Sequence, residues 1–171
     1  AAAANFAFAR NGMVAYSPSS AAGDARSLVW LDRHGNESRV AAPQRRYFLP
    51  RLSPDGRRVA VSIHDGRQLG FWIWDFTLET LTPMRSAPEP LGAFSAWSPD
   101  GRSLIVGARN LFRRAVDGTG VHEFLAAAGP ESGRRAVAVT PDGNRLIFEE
   151  RSVSGSYDLM SLPLDGAANG T

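Results

Sequence analysis

Ser53-Pro54-Asp55-Gly56 occurs again as Ser98-Pro99-Asp100-Gly101 and as Thr140-Pro141-Asp142-Gly143. A weaker copy, Ala9-Arg10-Asn11-Gly12, precedes all three. Such tetrapeptides have a turn mechanism. Proline presets φ for the first central position of a type I turn. Aspartate suits the next position and can accept bonds from nearby backbone amides. Glycine takes the left-handed conformation that closes a hairpin with a bulge. Each copy therefore reads as the tip of a tight hairpin, with Asp55, Gly56, Asp100, Gly101, Asp142 and Gly143 as structural turn residues.

The glycines of the four copies stand at 12, 56, 101 and 143, spaced by 44, 45 and 42 residues. Four such units nearly exhaust the 171 residues. Apolar runs surround each tip. One precedes it, as in Phe94-Ser95-Ala96-Trp97. A second follows: Met13 to Tyr16, Val59-Ala60-Val61, Leu104-Ile105-Val106 and Leu146-Ile147-Phe148. A third covers Leu28 to Leu31, Phe71 to Trp74, Leu111-Phe112 and Tyr157 to Met160, and exits through Asp32, Asp75, Asp117 or Asp165. A weaker fourth run covers Ser38 to Val40, Glu79 to Leu81 and His122 to Leu125, and the last unit lacks one. Short runs rich in Val, Ile, Leu, Phe and Trp, bounded by turn residues, are strands. No long stretch shows helical periodicity.

Four short strands repeated at this period predict an all-β fold, a β-propeller of four-stranded antiparallel blades. Blade 1 falls at about 5–42, blade 2 at 46–83, blade 3 at 92–126 and an incomplete blade 4 at 133–166. Strands that are apolar on consecutive residues fit blades packed on both faces.

These residues resemble the TolB-like, or WD40-like (PD40), propeller repeat. Ala96-Trp97-Ser98-Pro99-Asp100-Gly101 followed by Leu104-Ile105-Val106 carries the likeness best. Pro50 to Gly56 followed by Val59-Ala60-Val61 is similar, with Leu52 in the Trp position. More narrowly, Leu28 to Gly35 followed by Pro50 to Gly56 resembles the propeller region C-terminal to the kinase domain in some bacterial serine/threonine kinases. That resemblance implies a sensory or docking module outside the cytoplasm, although the chain shows no signal peptide. The wider resemblance implies a non-catalytic scaffold for a protein or peptide. It also admits the substrate-gating propeller of a prolyl-oligopeptidase-like or tricorn-like peptidase.

Three units and three strands of a fourth leave two arrangements open. The chain is a segment of a larger propeller of about six to eight blades, or it closes as a small ring or by self-association through open blade faces.

Composition removes several functions. There is no Cys, so no thiol nucleophile or disulfide. There is no Lys, so no phosphate-binding P-loop. All 19 basic residues are Arg against 17 acids, a net charge of +2. The isoelectric point of about 9.6 reflects the missing Lys more than a basic surface. Nucleic-acid binding and membrane insertion are not expected. His34, His64 and His122 share no ligand spacing, and each Asp turn offers one carboxylate where a calcium loop needs several. No catalytic residue, metal or cofactor is expected. Trp30, Trp72, Trp74 and Trp97 read as blade packing, with Trp72 the best candidate for an exposed stacking surface.

The loops between strands two and three and those between blades open on one face and vary most in length. They hold the candidate ligand-binding residues Arg26, Arg45, Arg46, His64, Arg67, Arg85, Arg134, Arg135 and Arg151, with Arg109 also present. Fewer acids accompany them: Asp24, Asp65, Glu89 and Glu131. Guanidinium forks suit an anionic peptide or carboxylate.

Overall fold

A computed structural model describes residues 6–8, 14–16, 25–64, 69–84, 94–107, 109–119, 122–127, 133–152 and 154–164. Among them every regular element is a β-strand. The chain divides into two compact units, Ala1–Arg85 and Ser86–Thr171.

The first unit holds two sheets. Strands β1 (Phe6–Phe8), β2 (Val14–Tyr16), β3 (Val29–Leu31) and β4 (Glu37–Arg39) pair in chain order. So do β5 (Tyr47–Leu52), β6 (Arg58–His64), β7 (Leu69–Asp75) and β8 (Thr80–Pro83). In the second unit, β9 (Phe94–Trp97), β10 (Ser103–Gly107), β11 (Leu111–Ala115) and β12 (Glu123–Ala126) form a third four-stranded meander. The fourth sheet has three strands, β13 (Arg134–Val139), β14 (Arg145–Arg151) and β15 (Tyr157–Pro163). All pairings are antiparallel, as short connections require. The architecture is that of propeller blades, and the last blade has three strands among the described residues.

Burial explains the sequence pattern. In β6, Val59 through Ile63 are all buried, and so are Leu104 through Gly107 in β10. Both faces of these strands are covered, which removes the alternation a half-wet sheet would show. One core gathers Leu28, Val40, Tyr47, Val59, Val61, Ile63 and Trp74. The other gathers Ile105, Leu111, Ala136, Leu146, Phe148 and Leu164. The fourth blade departs from the expectation of two covered faces. Leu146 and Phe148 are buried, but Ile147 between them is only half-buried and Leu159 is 70% exposed.

Two first strands carry bulges. The register of β5 on β6 shifts between Phe48 and Arg51, where Leu49 adopts φ 48°. That of β13 on β14 shifts between Ala136 and Ala138.

Candidate functional site

The three tips are built alike. Ser53 Oγ donates to Asp55 Oδ1 at 2.6 Å, and Asp55 also accepts from the Arg57 amide at 3.0 Å. Ser53 Oγ accepts from the Arg58 amide at 2.9 Å. Ser98 and Asp100 repeat this with the amides of Ser103 and Arg102, and Thr140 and Asp142 with those of Arg145 and Asn144. Gly56, Gly101 and Gly143 take φ of 72°, 67° and 79°. The hydroxyl bonds hold the Asp55, Asp100 and Asp142 carboxyls below the usual carboxylate range. The asparagine side chain of Asn36 does the same for Asp32, and the Thr119 hydroxyl for Asp117. Asp75 accepts from the amides of Thr77 and Leu78. These aspartates are committed to their own turns, which leaves them poor metal ligands. Asp165 and the weak copy at 9–12 lie outside the described residues.

At the opposite end of the strands lie the candidate arginines that fall among the described residues. In the second unit, the Arg135 guanidinium sits 4.8 Å from the Phe94 ring centroid and 3.8 Å from that of Tyr157. It donates to the Tyr157 hydroxyl at 2.6 Å and meets Glu149 at 3.5 Å. Beside it, Arg134 lies 5.0 Å from the Phe148 ring and pairs with Glu150 at 3.0 Å. A cation over an aromatic face is held by the ring quadrupole while its edge stays available for hydrogen bonds. Arg151 at the end of β14 is exposed. Around Arg134 and Arg135 the contacts therefore join β9, β13, β14 and β15 with two glutamates and a half-exposed tyrosine.

Arg134 and Arg135 are not loop residues, as the length of the preceding connection implies. They open β13, where the ladder to β14 fixes them. His64 likewise ends β6 instead of starting a loop. In the first unit, Arg26 and Arg45 form an isolated antiparallel bridge. Arg26 lies 4.8 Å from the Phe48 ring and donates to the Tyr47 carbonyl at 3.1 Å. Arg46 is half-buried and Arg45 exposed. Arg67, Arg85, Asp24, Asp65, Glu89 and Glu131 lie outside the described residues. Glu149, Glu150, Phe94 and Tyr157 are members of the cluster that the loop-based reading misses.

The tryptophans serve packing. Trp74 and Trp97 are buried, and Trp30 and Trp72 are partly buried against the first unit's core. Trp30 lies 4.8 Å from Phe76. Among the described residues, no three His, Asp or Glu side chains gather as a metal site.

Neither a protein-family model nor a curated protein sequence matches the chain. Solved structures do match it in fold. A putative TolB from Agrobacterium tumefaciens superposes with a TM-score of 0.72 at 19% identity, over 96% of this chain and 59% of that one. A chain of the nidogen/laminin complex gives 0.69 at 12% identity, over 97% and 62%. The β-propeller domain of the Trilobed protease from Pyrococcus furiosus gives 0.63 at 13%, over 92% and 53%. The fold is a TolB-like β-propeller fold. The chain spans less than two thirds of each of these structures.

Proposed function

We propose that the chain is a non-catalytic propeller scaffold that takes a protein or peptide partner at the arginine and aromatic cluster of its third and fourth blades. The observation that carries this is Arg135 held against Phe94 and Tyr157. Arginine and tyrosine are enriched among residues that dominate interface energies, and a ring-held guanidinium loses less freedom on binding. The presence of a similar fold in the nidogen/laminin complex supports a protein partner. The resemblance to propeller regions of bacterial receptor kinases supports a sensory or docking role outside the cytoplasm, and the fold likeness to TolB runs the same way. A second reading, favoured by the likeness to the Trilobed protease propeller, is the substrate-gating part of a peptidase.

The test uses a fluorescein-labelled synthetic peptide that alternates glutamate with leucine. Arg135→Ala should weaken its binding roughly tenfold, the value of one charge-assisted contact. Arg33→Ala, in the exposed turn at the other end of its blade, should leave binding unchanged. Equal affinity for the native chain and Arg135→Ala would refute the assignment.

A further inference from the structure

Strand β15 is the last in its sheet, and among the described residues nothing pairs with its outer edge. Two bonds fix its phase. The Leu164 amide donates to the Asn144 carbonyl at 2.8 Å, and the Ser152 amide to the Ser156 carbonyl at 2.8 Å. In an antiparallel ladder, successive residues turn their backbone groups alternately to either side. Asp158, Met160 and Leu162 therefore face β14, while Tyr157, Leu159 and Ser161 turn N–H and C=O outward. Pro163, which has no N–H to offer, also falls on an outward position.

The other outer strands are poor templates. Strand β4 has three residues, two of them charged. Strand β8 has four and ends at Pro83, whose position is also outward because the Met84 amide donates to Phe71. Strand β12 has four and begins with Glu123, which pairs with Arg113. Short, charged or proline-bearing edges resist pairing with other chains. Strand β15 has seven residues and no basic side chain. Tyr157, Leu159 and Met160 on it are 42%, 70% and 43% exposed.

We propose that β15 pairs with β15 of a second copy of this chain, antiparallel about a two-fold axis at Leu159. In that register Leu159 faces the partner's Leu159 and Tyr157 faces the partner's Ser161. Three hydrogen-bonded residue pairs result, each exchanging two bonds. Asp158 meets the partner's Met160, so no like charges oppose. Pro163 falls opposite the turn at Gly155, beyond the paired stretch. Centring on Ser161 would instead place Pro163 opposite Leu159 and lose a donor in each copy. Centring on Tyr157 would leave Ser161 unpaired. Centring on Asp158 would oppose the two aspartates, and centring on Met160 would place Pro163 opposite Tyr157 and lose a donor in each copy. The register centred on Leu159 is thus the self-complementary one, as an isologous interface requires.

Because the chain has no cysteine, disulfide trapping reads this register without background. Asp158 and the partner's Met160 form a non-hydrogen-bonded pair, whose Cα separation of about 4.5 Å suits a disulfide. Asp158→Cys and Met160→Cys chains should cross-link rapidly when mixed and slowly when kept apart. Sedimentation should show a monomer–dimer equilibrium over the micromolar range. Ser161→Pro, which removes an outward donor and leaves the β14 ladder intact, should abolish it. Leu159→Lys should do the same and guards against a folding defect in the first variant. No preference for the mixed pair, or a dimer that survives both substitutions, would overturn the proposal. So would a monomer at every concentration whose Tyr157, Leu159 and Ser161 amides are protected, since another segment of the same chain would then occupy the edge.

Discussion

Gly107 at the end of β10 lies against the backbone of Arg134 at the start of β13. A β-carbon placed on it would clash with the Arg134 carbonyl oxygen, well inside van der Waals contact, and would lie 3.0 Å from the Ala136 amide nitrogen. Here the third and fourth blades touch backbone to backbone, at the root of the arginine cluster.

Gly107→Ala must therefore push one blade off the other, because these neighbours are backbone atoms and not the flexible end of a side chain. Overpacking of this kind costs about 1–3 kcal/mol. Gly70→Ala is the natural control. Its new methyl would meet only the Trp72 indole nitrogen at 3.7 Å, an ordinary contact. Urea denaturation should show a clear loss for the first and a change within roughly 1 kcal/mol for the second.

The hairpin tips predict an acid-sensitive fold. Asp55, Asp100 and Asp142 have carboxyls lowered from 3.8 by the hydroxyls of Ser53, Ser98 and Thr140. Their stabilisation is present above the unfolded value and is lost as pH falls through the lower folded values. Stability should be level from neutral pH towards 5 and drop below about 4. The triple variant Asp55→Asn, Asp100→Asn, Asp142→Asn should have a shallower acid limb in melts taken across that range.

Tyr47 predicts an alkaline limb. Its side chain is fully buried and its hydroxyl donates to the Pro43 carbonyl. Burial pushes its pKa up to about 12, against 10.0 for the free phenol. The unfolded chain then loses the proton first, so stability falls as pH rises from about 10 to 12. Tyr47→Phe removes that slope and costs about 1–3 kcal/mol at neutral pH, because the Pro43 carbonyl loses its partner. Denaturation at pH 8 and pH 11 separates the two effects.

Arg135 anchors Tyr157 at the start of β15. Arg135→Lys keeps the charge but loses the planar fork that reaches Glu149 and the Tyr157 hydroxyl together. Tyr157 should then become more accessible to iodination, while Arg109→Lys, on an exposed connection, should not change it.

The turns were legible because their chemistry is local: four residues determine the bonds that form within them. Blade order followed from spacing alone. The arginine cluster was hidden by register. Counting back from the Thr140–Arg145 hairpin without a bulge sets Arg134 opposite Arg151 and Arg135 opposite Glu150. The bulge between Ala136 and Ala138 slides the ladder by one residue. Arg134 then meets Glu150 and Arg135 meets Glu149. One like-charge pair and one ion pair become two ion pairs, an exchange that favours the bulged strand. Nothing in Ala136-Val137-Ala138 announces this. Phe94 joins the cluster from another blade, a contact that strand periodicity does not encode.

Among the described residues β15 is the outermost strand of the fourth blade, and residue-resolved amide hydrogen exchange on dilute protein reads its outer edge directly. Asp158, Met160 and Leu162 should be protected by β14, while Tyr157, Leu159 and Ser161 between them exchange fast. Uniform protection from Tyr157 to Leu162 at the same dilution would contradict a three-stranded blade.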